Sequence, residues 1–149
     1  MAIITQSFDF FVDSVGKEKS FAKTITFLSK YLYYDREFLF FALQEFEKNK
    51  DYYCCISTNA NSEVIGFAAL FFHYGFLKPS LIGIVEIFLA DEMNRKILKL
   101  LLRNLTIHAA QKRCLQINYL GNEKKLQGFF VQSGFSMGST FLFRRVQMS

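Results

Sequence analysis

From Leu81 onward, segments patterned as strands alternate with segments patterned as helices, and no other feature limits so tightly what this chain can fold into. Leu81 to Leu89 reads as a strand. Asp91 is placed to cap a helix from Glu92 to about Gln111, in which Leu98, Leu101, Leu102, Leu105 and Ala109 form one apolar face. Leu115 to Leu120 reads as the next strand, with Cys114 at its start, Glu123 to Ser133 as a second helix, and Thr140 to Val146 as a last strand after Gly134 and Gly138. A strand, a helix and another strand in succession imply a crossover that pairs the strands in parallel.

The first half has a different rhythm. Ser20 to Tyr34 and Asp35 to Asn49 carry apolar residues at helical spacing, for example Phe38, Phe41, Ala42 and Phe46. Tyr52 to Ser57 and Glu63 to Phe72 are rich in aromatic and β-branched residues and flank Thr58-Asn-Ala-Asn-Ser62, a sequence suited to a hairpin turn. Gly75 to Ser80 reads as a loop. The expected fold class is a mixed α/β sheet, antiparallel first, with parallel-type crossovers in the C-terminal half.

At 149 residues and 51% hydrophobic content the chain can bury one core, and no stretch rich in Pro, Gly or Ser marks a linker, so residues 1–149 are expected to form a single domain. Nineteen Phe and no Trp place the clusters Phe8 to Phe11, Phe38 to Phe41 and Phe71 to Phe76 in that core. Phe left at the surface would make a homodimer face. The N-terminus lacks a secretory pattern and the longest apolar run, Val64 to Phe72, is too short to cross a bilayer, which points to a cytoplasmic protein without a membrane segment. Cys54, Cys55 and Cys114 form no metal-ligand spacing and read as reduced thiols, and no metal site is expected.

Two further elements locate chemistry. The segment Glu86-Ile-Phe-Leu89 ends the first C-terminal strand, and Phe129-Phe-Val-Gln-Ser-Gly-Phe135 closes the second helix. Together with Asn122 after the following strand and the hairpin Ser62 to Ala69, these residues resemble the GCN5-related N-acetyltransferase superfamily from roughly Tyr52 to Val146. The resemblance implies a single acyl-CoA N-acyltransferase fold, acetyl-CoA as cofactor and an amine as acceptor. It also implies that the backbone of Phe88 and Leu89 polarises the thioester, and that the loop Asn94-Arg95-Lys96-Ile97-Leu98 wraps the pyrophosphate.

The departures are specific. Members of the superfamily carry glycines in that loop, which let backbone N–H groups approach a phosphate at a helix N-terminus; this loop has none. Arg95 and Lys96 would then substitute side-chain charge, with Lys99 and Arg103 one and two turns on. Phe130 stands where the superfamily often has the Tyr that protonates the leaving thiolate. Asn122 lies one residue early, with Glu123 at the counted position.

Acyl transfer to an amine needs a base, a donor to the carbonyl oxygen and an acid for the thiolate. Glu86 is the base candidate: one carboxylate among apolar neighbours, where burial would strengthen it, the alternative being a solvent-facing position. Tyr119 and Ser133 are the acid candidates by position. His73 and His108 read as structural, with His73 the one that would line a cleft.

Charge is asymmetric: residues 1–90 hold 8 Lys/Arg and 10 Asp/Glu, a net of −2, and residues 91–149 hold 10 and 3, a net of +7. A basic half suits the phosphates of a nucleotide cofactor, an acidic partner or nucleic acid. Three readings follow, in order: an active N-acetyltransferase, a non-catalytic interaction module on the same fold, and a nucleic-acid binder.

Overall fold

The computed structural model describes residues 3–7, 17–74, 81–137 and 142–146. The element order is β1 (Ile4–Ser7), α1 (Lys17–Leu28), α2 (Arg36–Lys48), β2 (Tyr52–Thr58), β3 (Val64–Tyr74), β4 (Leu81–Ala90), α3 (Arg95–Gln111), β5 (Gln116–Tyr119), α4 (Lys124–Gln132), β6 (Ser136–Met137) and β7 (Leu142–Arg145). The expected loop at Gly75 to Ser80 and the cluster Phe8 to Phe11 lie outside the described residues.

The strands form one sheet in the order β1-β2-β3-β4-β5-β7-β6. The first four are antiparallel neighbours. The crossover through α3 sets β5 parallel to β4, as the alternation requires. The crossover through α4 delivers β6, and β7 turns back to pair antiparallel with both β5 and β6. The strands β1 and β6 have no counterpart in the sequence reading; four and two residues are too few to show a period.

Each face of the sheet carries its own core. On one, α3 and α4 bury Leu98, Leu101, Leu105, Phe129 and Phe130 against Ala68, Leu70, Val85 and Phe88. On the other, α1 and α2 bury Phe21, Phe27, Leu39 and Leu43 against Ile56, Phe67 and Ala69. The predicted apolar face of α3 is the buried one throughout.

Three local expectations need correction. First, α1 stops at Leu28 rather than Tyr34: the N–H groups of Lys30 and Tyr31 bond three residues back, to Phe27 and Leu28, which tightens and ends the helix. Second, the buried stripe of α2 is Leu39 and Leu43, while Phe38 and Phe41 remain 52% and 57% exposed. The Phe residues satisfy the same helical period one step round the axis, and period alone does not say which stripe meets the sheet.

Third, Asp91 does not cap α3. Residues Asp91–Met93 make one tight turn in which Glu92 and Met93 are left-handed, with φ of 55° and 52°, and a right-handed helix cannot run through them. Asn94 caps α3 instead, and Asp91 accepts a hydrogen bond from the Tyr31 hydroxyl at 2.5 Å and an ion pair from Lys30 at 3.8 Å. The end of β4 is thereby tied to the turn that follows α1.

Gly134 ends α4 with φ of 97°, and the N–H groups of Phe135 and Gly134 return to the carbonyls of Phe130 and Val131. This two-bond cap demands the left-handed conformation that glycine adopts without strain, which accounts for the Gly-Phe pair in the sequence.

Candidate active site

The pairing of β3 with β4 is one residue to one except at a single point. Ala69 lies opposite Ile87 and Leu70 opposite Val85, so Glu86 is the extra residue of a β-bulge. On its other edge β4 pairs with β5 only from Ile82 to Val85, against Gln116 to Tyr119. Beyond that point the parallel strands part and a cleft of about 590 Å³ opens, lined by Glu86, Phe88, Leu89, Tyr119, Gly121 and Leu126 among others.

The bulge decides where Glu86 points. Val85 belongs to the core under α3 and α4, and strict alternation would send Ile87 there too; instead Ile87 packs on the α1–α2 side. Glu86 shares that side. Its neighbour there is Tyr52, whose ring lies 4.5 Å from that of Phe46 and 4.9 Å from that of Phe71. Burial first, then the charge and hydrogen bond of Glu86, push the Tyr52 phenol up to about 12. The Glu86 side chain is exposed, the solvent-facing alternative of the sequence reading, and its setting is a carboxylate at the cleft mouth bonded to a phenol.

Tyr119 stands on the opposite strand and is 6% exposed. Its ring stacks on Phe130 with centroids 4.4 Å apart, and Phe130 in turn packs on Phe88 and Phe135 at 5.0 and 4.8 Å. The hydroxyl folds over Gly121, where a Cβ would collide with it. Burial, with a smaller contribution from Glu123, holds this phenol above its ordinary pKa, so it remains a proton donor at neutral pH. Phe130 is fully buried and supports a phenol rather than presenting one.

The other predicted residues fall elsewhere. Ser133 caps the C-terminus of α4, its hydroxyl donating to the Phe129 carbonyl at 2.9 Å, and it does not line the cleft. Asn122 is exposed ahead of α4, and Glu123 is that helix's N-cap, accepting from the Leu126 N–H at 2.8 Å. His73 lies within 3.1 Å of the Tyr74 carbonyl through Nδ1, and His108 stacks on Tyr53 at 3.7 Å. Cys54, Cys55 and Cys114 are buried free thiols.

At the start of α3 the Asn94 side chain accepts from the N–H groups of Lys96 and Ile97, at 3.0 and 3.3 Å. Two of the free donors that a helix start offers are thus taken. The side chains of Ile97 and Leu98 are buried in the core, Leu98 at the floor of a groove between α3 and α4, whereas Arg95, Lys96 and Lys99 are exposed. That groove, of about 280 Å³, is also lined by Met93, Arg95, Lys125, Gly128 and Gln132. A Cβ on Gly128 would meet nothing within 4 Å, and the Arg95 guanidinium donates to Gln132 and lies over Phe129.

Lys99 and Arg103 continue the basic stripe into a second groove of about 300 Å³ beside Arg144. That arginine is already engaged by the Ser133 carbonyl and the Thr106 hydroxyl, at 3.0 and 2.9 Å. The residues present fit a phosphate-bearing arm lying between α3 and α4, with anion contacts supplied by side-chain cations rather than by the amides of a glycine loop.

Sequence reasoning missed Tyr52, Gly121 and Lys125. No period marks them, because Tyr52 meets Glu86 across two strands and Gly121 matters only once the Tyr119 ring lies over it.

Helices on both faces of a mixed sheet that parts beside its one parallel pair make the fold of the GCN5-related N-acetyltransferases, and the chain has this fold. Glucosamine-6-phosphate N-acetyltransferase from Arabidopsis thaliana superposes with a TM-score of 0.72 at 15% identity, over 100% of this chain and 97% of its own. A GNAT-family acetyltransferase from Staphylococcus aureus Mu50 gives 0.72 at 15% identity, over 98% and 100%. A transcriptional regulator from Bacillus halodurans C-125 gives 0.72 at 16% identity, over 99% of each chain. No family model and no curated protein matches the sequence. Among the described residues no helix is long and apolar enough to cross a membrane.

Proposed function

We propose that the protein is a cytoplasmic N-acyltransferase that transfers an acetyl or longer acyl group from acyl-CoA to an amine. The observation that carries this reading is the cleft at the β4 bulge, where a carboxylate and a protonated phenol stand on the two strands that part.

Bound acyl-CoA supplies the activated acyl group. Glu86 takes the proton from the attacking amine at a carboxylate oxygen, directly or through one water, and Tyr52 fixes the orientation of that carboxylate. Backbone groups of Phe88 and Leu89 line the cleft where the carbonyl oxygen gains charge. Tyr119 donates its hydroxyl proton to the departing thiolate, the role that a helix tyrosine fills in the superfamily. Arg95 and Lys125 hold phosphate along the groove, exposed Lys96 adds its charge at the helix start, and Lys99 and Arg103 lie beyond them.

Calorimetric titration with acetyl-CoA and CoA tests the reading, with dissociation constants expected in a range of about 1 µM to 1 mM. Glu86→Gln should then reduce amine acetylation by about 10²–10⁴-fold. Absence of CoA binding at millimolar concentration would sink it.

One observation favours a second reading. The Asn94 cap occupies amides that a pyrophosphate would use, which suits a non-catalytic module on this fold. That reading predicts a folded protein indifferent to CoA.

A further inference from the structure

Under α1 and α2 lies a second cavity, of about 320 Å³, lined by Leu32, Leu39, Phe46 and Ile87, with Tyr34 stacked on Phe38 at 4.6 Å along its rim. Every described side chain around it is aliphatic or aromatic. It adjoins the cleft, with Leu32 and Ile87 lining both. Across the two linings Glu86 is the only charged group among the described residues, and it stands next to Ile87 on the same face of β4.

The wall is fixed in place. Leu32 follows Tyr31, which is pinned to Asp91 together with Lys30, so the turn after α1 is tied to the end of β4 at the junction of cavity and cleft. A preformed apolar cavity ending on one carboxylate selects a molecule with an apolar body and one cationic end.

We propose, resting on the acyltransferase reading above, that the acceptor is a primary amine on an aliphatic or aromatic body, with the body in this cavity and the amine beside Glu86. The bound ammonium first gives one proton to Glu86 or water; its nitrogen then forms the C–N bond as the C–S bond of the acyl-CoA breaks, water takes the second proton from nitrogen, and Tyr119 gives the departing thiolate the proton that makes it a thiol. Polyamines and phosphorylated amino sugars fit poorly. A polyamine would need a second carboxylate and a sugar phosphate a cation, and among the described residues the cavity wall holds neither, its one hydroxyl being that of Tyr34 at the rim.

The test uses n-alkylamines from propyl to octyl and 2-phenylethylamine, with the matching alcohols and carboxylates, spermidine and glucosamine 6-phosphate. Binding is measured calorimetrically without acyl-CoA, and thiol release is measured with acetyl-CoA. Affinity for the amines should rise about fourfold per added methylene until the cavity is full. Ala42→Phe, which fills the cavity from α2, should weaken octylamine binding more than tenfold, with circular dichroism confirming the fold. Glu86→Gln should remove the preference for amine over alcohol and leave alcohol binding unaltered.

Affinity independent of chain length, tighter binding of spermidine or glucosamine 6-phosphate, or alcohols and carboxylates binding wild type as tightly as amines would each overturn the proposal. Chain-length-dependent amine binding without thiol release would uphold the cavity's selectivity and overturn the acyltransferase reading. Thiol release with polar amines alone would do the reverse.

Discussion

Tyr119 depends on two neighbours that carry no chemistry of their own. Phe130 stacks beneath its ring and Gly121 leaves room for its hydroxyl, so both act on the phenol's position. Tyr119→Phe should lower kcat about a hundredfold while leaving acetyl-CoA affinity in place. Gly121→Ala should produce a similar loss by displacing the ring, and the double variant should be no worse than either single one, because both remove the same proton donor. Additive losses would mean that Gly121 acts on something else.

His108 makes a separate prediction. Burial, with Lys112 nearby, lowers its pKa to about 4, so between pH 6.5 and 4 the unfolded chain binds a proton that the native chain does not. Stability attributable to this residue is complete above pH 6.5 and falls as pH drops toward 4. Denaturant unfolding should show wild type losing on the order of 1–2 kcal/mol relative to His108→Phe across that window, after allowance for residual exposure.

At the α3 N-terminus the Asn94 cap occupies two backbone amides, and that cap is the device to test. Asn94→Gly should cost only a few tenths of a kcal/mol, since glycine is tolerated at a helix N-cap, yet it frees the amides of Lys96 and Ile97. If those amides face the cofactor groove, CoA should bind several-fold more tightly to the variant, by titration. Unchanged or weaker binding would show that side-chain cations alone carry the phosphates. The cap also marks what was legible in the sequence. The end and apolar face of α3, the extent of α4 and the β2–β3 hairpin were readable because hydrophobic period is a local property. The choice of Asn94 over Asp91 was not, because Asp91 is claimed by Tyr31 across the sheet layers. The candidate site divides in the same way: Glu86 and Tyr119 could be named from their place on strands, but the bulge that brings Glu86 to the α1–α2 face exists only in the register with β3. Phe38 and Phe41 failed as core for a related reason, since the stripe of α2 that faces the sheet is a tertiary choice.

On the scale of the whole molecule the sheet separates two chemistries. The layer of α3 and α4 contains the basic stripe, within a half of the chain that holds 10 Lys/Arg against 3 Asp/Glu, and the layer of α1 and α2 contains an apolar cavity. The β4 bulge turns Glu86 toward the second layer. Their responses to salt should differ accordingly. In the acyl-CoA reading, phosphates held by exposed Arg95, Lys96 and Lys125 would interact through solvent, and such attraction is screened within a Debye length that falls from about 10 Å at 0.1 M ionic strength to about 3 Å at 1 M. CoA affinity should therefore weaken by about tenfold or more between 0.05 and 0.5 M salt. Octyl alcohol in the α1–α2 cavity makes no ionic contact, and its affinity should hold or rise slightly as salt strengthens the drive to leave water. Calorimetry of both ligands on one preparation reads the contrast directly. A CoA affinity indifferent to salt would move the phosphate contacts from the stripe to the backbone, and equal salt sensitivity of both ligands would mean that the two layers do not divide the work.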